Sequence, residues 1–442
     1  VDKGAGEEVF CGTLNCFGSV DVEVKEVGES SSLQRFIRMV QEAEEKQAPM
    51  QRIADRWASW LVPIVLVLAV GAYAATANII IAVTLMVVFC PCALVLATPT
   101  AIMAAIGQAT KRGVIIKSGE TLEKMGKVDT IAFDKTGTLT CGKLSVSDVL
   151  PFAETVNEEE LLQIVASVEA RSEHPLGKAI AAHATAQDVA LAPSEDFRMT
   201  AGRGVSAKVT GRKLLCGSES YLAENGVMLE APMREALERL RAEGKALVLA
   251  AEGERCIGAI ALSDTLRSEA KAMVKRLHTM DVRTVLLTGD NKEAAAYFAS
   301  QVGIDEIHAD LLPEDKVAHV RKLQEKGRKV LMIGDGVNDA PALKCADVSA
   351  AMGAMGSDIA VEAADIALMR DDVGEVPYLK RLANATATTI KLSITLSMCI
   401  NFAAIVLSLM QELNPTTGAL VHNAGSCFVV LIAALLYDRK FD

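Results

Sequence analysis

The chain has 442 residues, 51% of them hydrophobic and 4% aromatic, and its mean hydropathy of +0.28 is high for a soluble protein. Its formal net charge of −11 argues against the basic face that nucleic-acid binding requires, and its ten scattered cysteines show no disulfide framework. The length predicts roughly two to four domains. The first residues, VDKGAGEEVF, contain no signal peptide, and because the sequence starts without Met we expect it to begin inside a longer protein.

Charge-free stretches predict four membrane-spanning helices. The stretch from Trp57 through Thr110 holds no charged residue and is long enough for two spans of about 20 residues each. A turn near 75–78 divides it, and Asn414-Pro415 marks the turn between the last two spans. The predicted spans are 58–75, 79–105, 392–411 and 413–437.

Basic residues flank these spans on one side only. Lys111, Arg112 and Lys117 follow the second span, further Lys and Arg residues precede the third and follow the fourth, and the loop within each pair has none. By the positive-inside rule, the hairpins 51–110 and 379–442 both enter from the cytoplasm, which makes 111–390 cytoplasmic. The alternative, buried helices of a soluble core, does not explain charge-free runs of this length.

Cys90-Pro91-Cys92 lies in the middle of the second span. Proline removes a backbone hydrogen bond and opens the helix, so that thiols two residues apart can turn toward one point. Soft thiolates select soft or borderline ions such as Cu⁺, Zn²⁺ and Cd²⁺. We interpret Cys90 and Cys92 as ligands of such an ion, with small packing residues as the alternative.

Between the hairpins, short apolar runs that end in acidic or Gly-rich turns alternate with helix-like stretches. This alternation predicts a doubly wound α/β sheet with its ligand site at the carboxyl ends of the strands. Three strand ends contain Asp134, Thr288-Gly289-Asp290 and Asp335-Gly336, which predicts one shared site. The predicted strands are 128–134, 283–290, 329–335 and 348–353, and the predicted helices are 265–280, 291–302 and 313–327.

The segment 152–258 interrupts the α/β pattern. It has enough apolar residues for its own core, which favours an inserted α+β domain over an elaborated loop. Its predicted helices are 158–171, 174–186 and 231–243, and its predicted strands are 206–209, 246–250 and 257–262. The segments 111–151 and 259–378 are then the two parts of the α/β domain.

The most specific motif is DKTGTLT at 134–140. An Asp at a strand end, followed by Lys and a Gly turn, presents a carboxylate that can attack a phosphoryl group, with amides and small hydroxyls available to its oxygens. Here the chain resembles the P-type ATPases, whose defining motif is DKTGT. The resemblance implies that Asp134 becomes an aspartyl phosphate, with Lys135 and Thr136 in the same catalytic motif.

Two further motifs follow in the order that this family shows. Thr288-Gly289-Asp290 is similar to the family's TGD, in which the Thr and neighbouring amides hold the phosphate and the Asp lies near the nucleotide. Lys316, in PEDK, resembles the lysine that neutralises phosphoryl charge. A cation beside the nucleophile is what phosphoryl transfer requires as negative charge develops.

GDGVNDAPAL, from Gly334 to Leu343, resembles the family's hinge motif. The resemblance implies that Asp335 and Asp339 bind Mg²⁺ and that Asn338, together with Asp339, supports the phosphate site. The implied fold is that of haloacid dehalogenase-like phosphotransferases, whose soluble members usually carry a second acid where this chain has Thr136. A Thr cannot activate water, which favours a pump cycle over a soluble phosphatase.

The inserted domain contains SEHPLGKAI at 172–180, which resembles the HP motif of heavy-metal P-type ATPases. The resemblance implies that Glu169, His174, Gly202 and Gly204 surround the adenine and ribose of ATP, near Asp290 of the other domain. A His before Pro can also be a plain helix N-terminal turn. CPCALVLATP, which starts at Cys90, closely resembles the CPx motif of the same family.

Two later residues are further candidate ligands of the transported ion, Cys399 in the third span and His422 in the fourth. An imidazole in an apolar span is costly enough to suggest function, with interfacial packing as the alternative, whereas buried Cys is common as a small hydrophobe. Copper pumps usually show Tyr-Asn in the third of these spans and Met with Ser in the fourth. Zinc and cadmium pumps usually show a Lys in the third and an Asp in the fourth. Neither pattern is present in this chain. His422 favours a divalent ion such as Zn²⁺ or Cd²⁺, with Cu⁺ as the alternative.

The segments GEEVFCGTLNCFGSV and MQRIADRWASW, between residues 6 and 60, resemble the end of the family's actuator domain and its link to the membrane. The TGE loop that normally precedes them is absent, so we expect an N-terminal truncation, with 1–50 as the remainder of that domain and its linker. The resemblance implies ATP-driven metal export across a bacterial plasma membrane. The implied partners are the lipid bilayer, ATP, the metal cation and a cytosolic metal donor. A truncated, non-pumping metal-binding membrane protein is the alternative from another class.

Overall fold

The computed structural model describes residues 22–23, 49–89, 92–153, 155–200, 203–335, 339–353 and 364–441. Three predicted site residues, Cys90, Gly202 and Asn338, lie outside the described residues, and so do the side chain of Cys92 and nearly all of the segment 1–48. The predictions that concern them therefore stay predictions.

The helices and strands alternate through most of the chain. The helices are α1 (Pro49–Thr76), α2 (Ile79–Val88), α3 (Cys92–Lys111), α4 (Gly119–Lys127), α5 (Glu158–Glu169), α6 (Pro175–Ala186), α7 (Glu219–Glu224), α8 (Ala231–Ala242), α9 (Ala270–His278), α10 (Lys292–Val302), α11 (Pro313–Glu325), α12 (Ala340–Cys345), α13 (Glu375–Leu409) and α14 (Pro415–Ala434). The strands are β1 (Val114–Ile116), β2 (Thr130–Asp134), β3 (Thr140–Pro151), β4 (Ser194–Thr200), β5 (Gly204–Val209), β6 (Arg212–Gly217), β7 (Ala246–Glu252), β8 (Arg255–Leu266), β9 (Arg283–Leu287), β10 (Glu306–His308), β11 (Val330–Gly334), β12 (Val348–Met352) and β13 (Ile366–Leu368).

The first sheet has the strand order β1-β13-β12-β11-β2-β9-β10, and every pair in it is parallel except β1 with β13. Its central strands β2 and β11 are buried along their whole length, which is why they appear in the sequence as continuous apolar runs. The predicted doubly wound α/β fold is therefore confirmed. Because β2, β9 and β11 are neighbours, their carboxyl ends bring Asp134, Thr288 and Asp335 to one edge.

The second sheet is antiparallel, with the strand order β3-β8-β7-β6-β5-β4. Helices α5 and α6 contribute to one hydrophobic core against it, and a second core contains Leu222 and Leu237. The sheet extends beyond the predicted insertion 152–258 at both ends, because its long strands β3 and β8 run through 140–151 and 255–266. Strand β3 starts directly after the DKTGTLT turn, so it joins the two sheets without a linker.

Four apolar segments form a helical bundle beside the first sheet. Two helices are long and apolar enough to cross a membrane, Glu375–Leu409 and Pro415–Asp438, and only 22% of the most apolar window of each is buried. Core helices of a soluble protein would be mostly buried, so these helices support membrane association. Among the described residues, the first hairpin contributes the shorter apolar helices Val62–Thr76 and Ile79–Val88.

Small residues allow close packing within the bundle. A Cβ at Gly418 of α14 would lie 2.7 Å from Val88, and one at Gly425 would lie 3.1 Å from Ile400. Ala97 and Val429 are fully buried against each other. Such close approach is how helices associate where lipid removes the hydrophobic driving force.

The ends of the bundle helices nearest the first sheet share a continuous core with it. Ala101 of α3, Ile390 of α13 and Ala433 of α14 belong to the same buried cluster as Phe133, which directly precedes Asp134. A movement of these helices therefore changes the packing under the strand that ends at Asp134.

Candidate functional site

Asp134 ends the buried strand β2 with 6% of its surface exposed. The chain turns sharply after it through Lys135–Leu139, and Gly137 in this turn has a φ of +69°. A Cβ at Gly137 would overlap the carboxylate of Asp335. Position 137 therefore requires glycine for two reasons, the left-handed backbone conformation and the close approach of the Asp335 carboxylate.

Three carboxylates meet at this edge of the sheet. One oxygen each from Asp134, Asp335 and Asp339 lies within 4.8 Å of the others. Lys316 of α11 lies between two of them, with its Nζ 2.5 Å from Asp134 Oδ1 and 2.7 Å from Asp339 Oδ1. The motifs that the sequence placed around phosphate are therefore adjacent in space, although 182 residues separate Asp134 from Lys316.

This crowding changes the proton affinity of the acids. Burial, followed by the negative charge of Asp339, raises the pKa of Asp134 to about 7, although Lys316 opposes the shift. Burial and the same neighbour raise the pKa of Asp335 to about 6. Burial acts against a charged Lys316, but the two carboxylates outweigh it and raise the pKa of its ammonium group. Binding of a further cation beside these acids is therefore favourable.

The donor set fits Mg²⁺. This ion prefers carboxylate oxygens and substrate phosphates as ligands, and the three acids offer several oxygens at one point. One ammonium group does not balance three carboxylates, and this repulsion adds to burial in raising the pKa values of Asp134 and Asp335. Asp134, Asp335 and Asp339 are therefore the residues that would hold it.

Thr288-Gly289-Asp290 follows β9, whose Leu287 pairs with Asp134. Thr288 is buried, and its Oγ1 accepts a hydrogen bond from the Asp290 amide at 3.1 Å. Asp290 forms an ion pair with Lys135, the residue after Asp134. The TGD and DKTGT motifs are therefore in direct contact, and Thr136 is exposed next to them.

Arg267 is a site residue that sequence reasoning missed. It is 9% exposed, and its guanidinium donates to the carbonyl oxygens of Gly137, Thr138, Thr140 and Asp371. Because one guanidinium binds all four carbonyls, it holds the turn after Asp134 in place. No spacing in the sequence indicates such an interaction, because its acceptors are backbone atoms that lie 104 to 130 residues away.

The predicted nucleotide residues lie in the second sheet's domain. Glu169 ends α5 as a buried acid whose pKa is raised by burial, although a hydrogen bond with Ser172 opposes the shift. His174 is exposed and caps α6, its Nδ1 accepting from the Leu176 amide at 3.3 Å. A Cβ at Gly177 of α6 would collide with the Glu169 carboxylate, so Glu169 and the start of α6 are in contact.

Gly204 begins β5 beside these residues. A Cβ there would meet the Tyr221 ring at 2.6 Å and Gly217 at 2.9 Å. The buried Cys216 thiol of the neighbouring strand β6 has its pKa raised by burial and then by the charge of Glu169, which places Glu169 near this pair of strands. The structure thus groups Glu169, His174 and Gly204 in one domain, and their roles in nucleotide binding remain predictions.

The candidate ion ligands of the last two helices differ in exposure. His422 of α14 is 7% exposed, and its Nε2 has no hydrogen-bond partner among the described residues. Cys399 of α13 is exposed. Thr98, Ser393 and Ser426 also bury hydroxyl groups that lack partners in the described part of the bundle. The bundle interior thus holds a set of unsatisfied polar atoms that includes His422.

A buried aspartate at the end of a central parallel strand, with two further acids and a lysine around it, defines a haloacid dehalogenase-like phosphotransferase centre. A family model described as haloacid dehalogenase-like hydrolase matches residues 128–347. The solved structure of a zinc-transporting PIB-type ATPase in its E2.Pi state superimposes with a TM-score of 0.80 at 35% identity, over 94% of this chain and 69% of that one. The chain belongs to the heavy-metal-transporting (PIB-type) family of P-type ATPases.

Curated relatives carry the names of different metals. A copper-transporting ATPase of Rhizobium meliloti is 39% identical over 95% of this chain and 52% of its own length. A cadmium-transporting ATPase of Staphylococcus aureus is 37% identical over 100% of this chain and 62% of its own length. The chain thus spans between half and two thirds of these proteins.

Proposed function

We propose that this chain is the catalytic and ion-conducting part of an ATP-driven exporter of a heavy-metal cation, working through an aspartyl phosphate at Asp134. The observation that supports it most is the contact of Lys316 with both Asp134 and Asp339 in a cluster of three acids. A buried nucleophile beside a fixed cation suits phosphoryl transfer, in which catalysis is mostly positioning and charge stabilisation.

The proposed first step is transfer of the γ-phosphoryl group of ATP to Asp134. A carboxylate oxygen of Asp134 forms a bond to the γ-phosphorus, the bond from that phosphorus to the β–γ bridging oxygen breaks, and ADP leaves with the electron pair. Lys316 Nζ, which is 2.5 Å from the attacking carboxylate, stabilises the charge that collects on the phosphoryl oxygens. When bound, Mg²⁺ would neutralise further charge on the phosphates.

We assign the remaining groups to positioning. Arg267 keeps the turn after Asp134 rigid, and Lys135 with Asp290 joins the two phosphate-facing motifs. Glu169, His174, Gly202 and Gly204 hold the adenosine part of ATP, and Asn338 supports the phosphate. Thr136 cannot activate water, so the phosphoenzyme persists until groups outside this cluster hydrolyse it.

We propose that the ion crosses through four spans. Cys90 and Cys92 supply soft ligands, and His422, with its buried and unsatisfied Nε2, supplies a borderline one. The core that α3, α13 and α14 share with β2 couples the ion path to Asp134. We place 111–390 in the cytoplasm, the spans in a bacterial plasma membrane, and a cytosolic metal donor at the entrance.

The proposed cargo is a divalent ion such as Zn²⁺ or Cd²⁺. Imidazole is a good ligand for Zn²⁺, and His422 lies in the bundle where it can face an ion. The alternative cargo is Cu⁺, which the thiols of Cys90 and Cys92 would also bind.

The test is metal-dependent phosphoenzyme formation from labelled ATP in membranes containing the whole chain, with Zn²⁺, Cd²⁺, Co²⁺ and Cu⁺ compared. We expect one divalent ion to increase the acid-stable phosphoenzyme signal. Asp134→Asn should abolish this signal, and Cys90→Ala should remove its dependence on the metal. Asp188→Asn is the matched control, because Asp188 lies in an exposed turn with a φ of +57° that Asn tolerates. A signal that survives Asp134→Asn contradicts the proposal, and a signal only with Cu⁺ favours the alternative.

A further inference from the structure

Two histidines face each other at the free edge of the parallel sheet. His308 is the last residue of β10, the edge strand, and His319 lies on α11. Their ring centroids are 4.0 Å apart, and the ring planes are inclined by 36°. The His308 side chain is 27% exposed and His319 is partly buried, so the pair can be reached from solvent.

A carboxylate fixes the tautomer of one ring. His308 Nε2 lies 2.9 Å from Glu306 Oε1. A carboxylate only accepts hydrogen bonds, so Nε2 donates to Glu306 and Nδ1 is the nitrogen left to face a ligand. Arg283 lies 3.7 Å from the other oxygen of Glu306. Metal-binding histidines are usually oriented by this arrangement of carboxylate and imidazole.

The second ring is also able to act as a ligand. Burial, then the neighbouring His308 and Lys322, lower the pKa of His319, and Asp315 and Glu306 oppose the shift. A neutral imidazole has a free lone pair. The centroids are 4.0 Å apart, a separation across which one nitrogen from each ring can share a zinc ion at roughly 2.0–2.1 Å.

We propose that His308 and His319, oriented by Glu306, bind a borderline divalent cation such as Zn²⁺ at the edge of the phosphorylation domain. Two imidazole nitrogens and solvent suit this class of ion, whereas Mg²⁺ prefers the oxygen cluster at Asp134. The site is therefore distinct from both the Mg²⁺ cluster and the ion path in the bundle.

The position of the pair connects it to catalysis. The Thr288 amide donates to the His308 carbonyl at 3.0 Å, and Lys316 lies three residues before His319 on α11. An ion held by both rings braces the edge strand against the helix that holds Lys316. Cytosolic metal bound here is then a regulator of phosphorylation that acts from outside the transport path.

The test is direct binding of Zn²⁺ to the purified whole chain in detergent, measured by competition with a chromophoric chelator under saturating Mg²⁺ and without ATP. The background carries Cys90→Ala, Cys92→Ala and His422→Asn, which removes the proposed transport ligands. We expect His308→Gln and His319→Gln each to remove one Zn²⁺ per chain, and Glu306→Ala to weaken that site roughly 10–100-fold. His319→Cys, which replaces one ligand by another, should retain the ion.

The control is His278→Gln, which removes another partly buried histidine of the same domain, 3.0 Å from Thr284. It should leave the Zn²⁺ count unchanged. An unchanged count in both His308→Gln and His319→Gln overturns the proposal, and so does loss of the ion in His278→Gln. Equal thermal midpoints of the variants in chelator show that they fold alike. Because the assay uses no ATP, its failure leaves the aspartyl-phosphate proposal standing.

Discussion

The phosphorylation centre and the helical bundle both bury polar groups, but they satisfy them to different degrees. At the phosphorylation centre, Lys316 contacts two of the three acids and Arg267 satisfies four backbone carbonyls, whereas the Thr138 hydroxyl has no partner among the described residues. In the bundle, the His422 Nε2 and the hydroxyls of Ser393 and Ser426 have no partner among the described residues.

This difference indicates what each region does. A satisfied network is rigid, which suits a site that must place a nucleophile within a fraction of an ångström at every turnover. An unsatisfied buried polar atom costs roughly 1–3 kcal/mol, which a bound ion can offset. The difference therefore supports the proposed roles of the two regions, phosphoryl transfer in the first and ion passage in the second.

The largest expected effect concerns Lys316, the cation of the phosphorylation centre. Replacing Lys316 by Met removes the only ammonium group seen between Asp134 and Asp339 in the described part of the site. We expect the rate of phosphoenzyme formation in single-turnover experiments to fall about 10²–10³-fold. Lys322→Met, on the exposed side of the same helix, should stay within about threefold of the parent rate. Equal rates for the two variants would show that the Lys316 contacts are not used in catalysis.

The second effect concerns the backbone clamp. Arg267→Met leaves four buried carbonyls without their donor, which should destabilise the domain by about 3 kcal/mol. The thermal unfolding midpoint should then fall by roughly 6–12 °C. Arg241→Met is the control, because Arg241 forms an exposed ion pair with Glu219 that contributes at most about 1 kcal/mol. A midpoint for Arg267→Met that matches the control would contradict the clamp.

The third effect is a pH dependence of stability that comes from the cluster of Asp134, Asp335 and Asp339. Because the pKa of Asp134 is raised to about 7 and that of Asp335 to about 6, the folded protein holds protons that the unfolded chain has already lost. Without Mg²⁺, stability from these acids is greatest below their ordinary pKa values and is lost as the pH rises toward 7. The thermal midpoint measured in chelator should therefore fall between pH 5 and pH 7.5.

Protons and Mg²⁺ compete for the same carboxylates. The Mg²⁺ concentration for half-maximal phosphorylation should consequently rise about tenfold between pH 8 and pH 6. If the half-saturating Mg²⁺ concentration did not change between pH 8 and pH 6, Asp134 and Asp335 would already be ionised before Mg²⁺ binds.

The smallest expected effect tests the unsatisfied region. His422→Leu replaces a buried imidazole whose Nε2 is unpaired among the described residues by an apolar side chain, so the metal-free free energy of unfolding should be unchanged or higher by at most about 1 kcal/mol. Metal-stimulated phosphorylation should nevertheless be lost. A clear loss of stability would show instead that His422 is a packing residue, as the sequence alone left open.

The parts of the site that the sequence predicted are those whose signal is local. Asp134, Thr288 and Asp335 each follow a short apolar run, and the rule for parallel strands brings their ends together. Arg267 and the His308–His319 pair could not be predicted, because their partners come from distant segments and no spacing relates them.

The fold shows the same division. The long central strands of the first sheet were predicted within a few residues, whereas β1, β10 and β13 have three residues each and are too short for a pattern. Strand β3 was not predicted, because its exposed polar residues hide the alternation, whereas most of β8 was predicted as the strand 257–262 of the inserted domain; both belong to the second sheet. The turn predicted at 75–78 agrees with the ends of α1 at Thr76 and α2 at Ile79.

The most direct test of the coupling between the two regions is the initial rate of phosphorylation with and without the transported metal. In a His308→Gln background, which lacks the proposed edge site, we predict that the metal stimulates phosphorylation about tenfold, and that it has no effect on the Cys90→Ala, Cys92→Ala double variant of that background. Stimulation that persists in the double variant would contradict the account, because the signal to Asp134 would then come from a metal bound elsewhere.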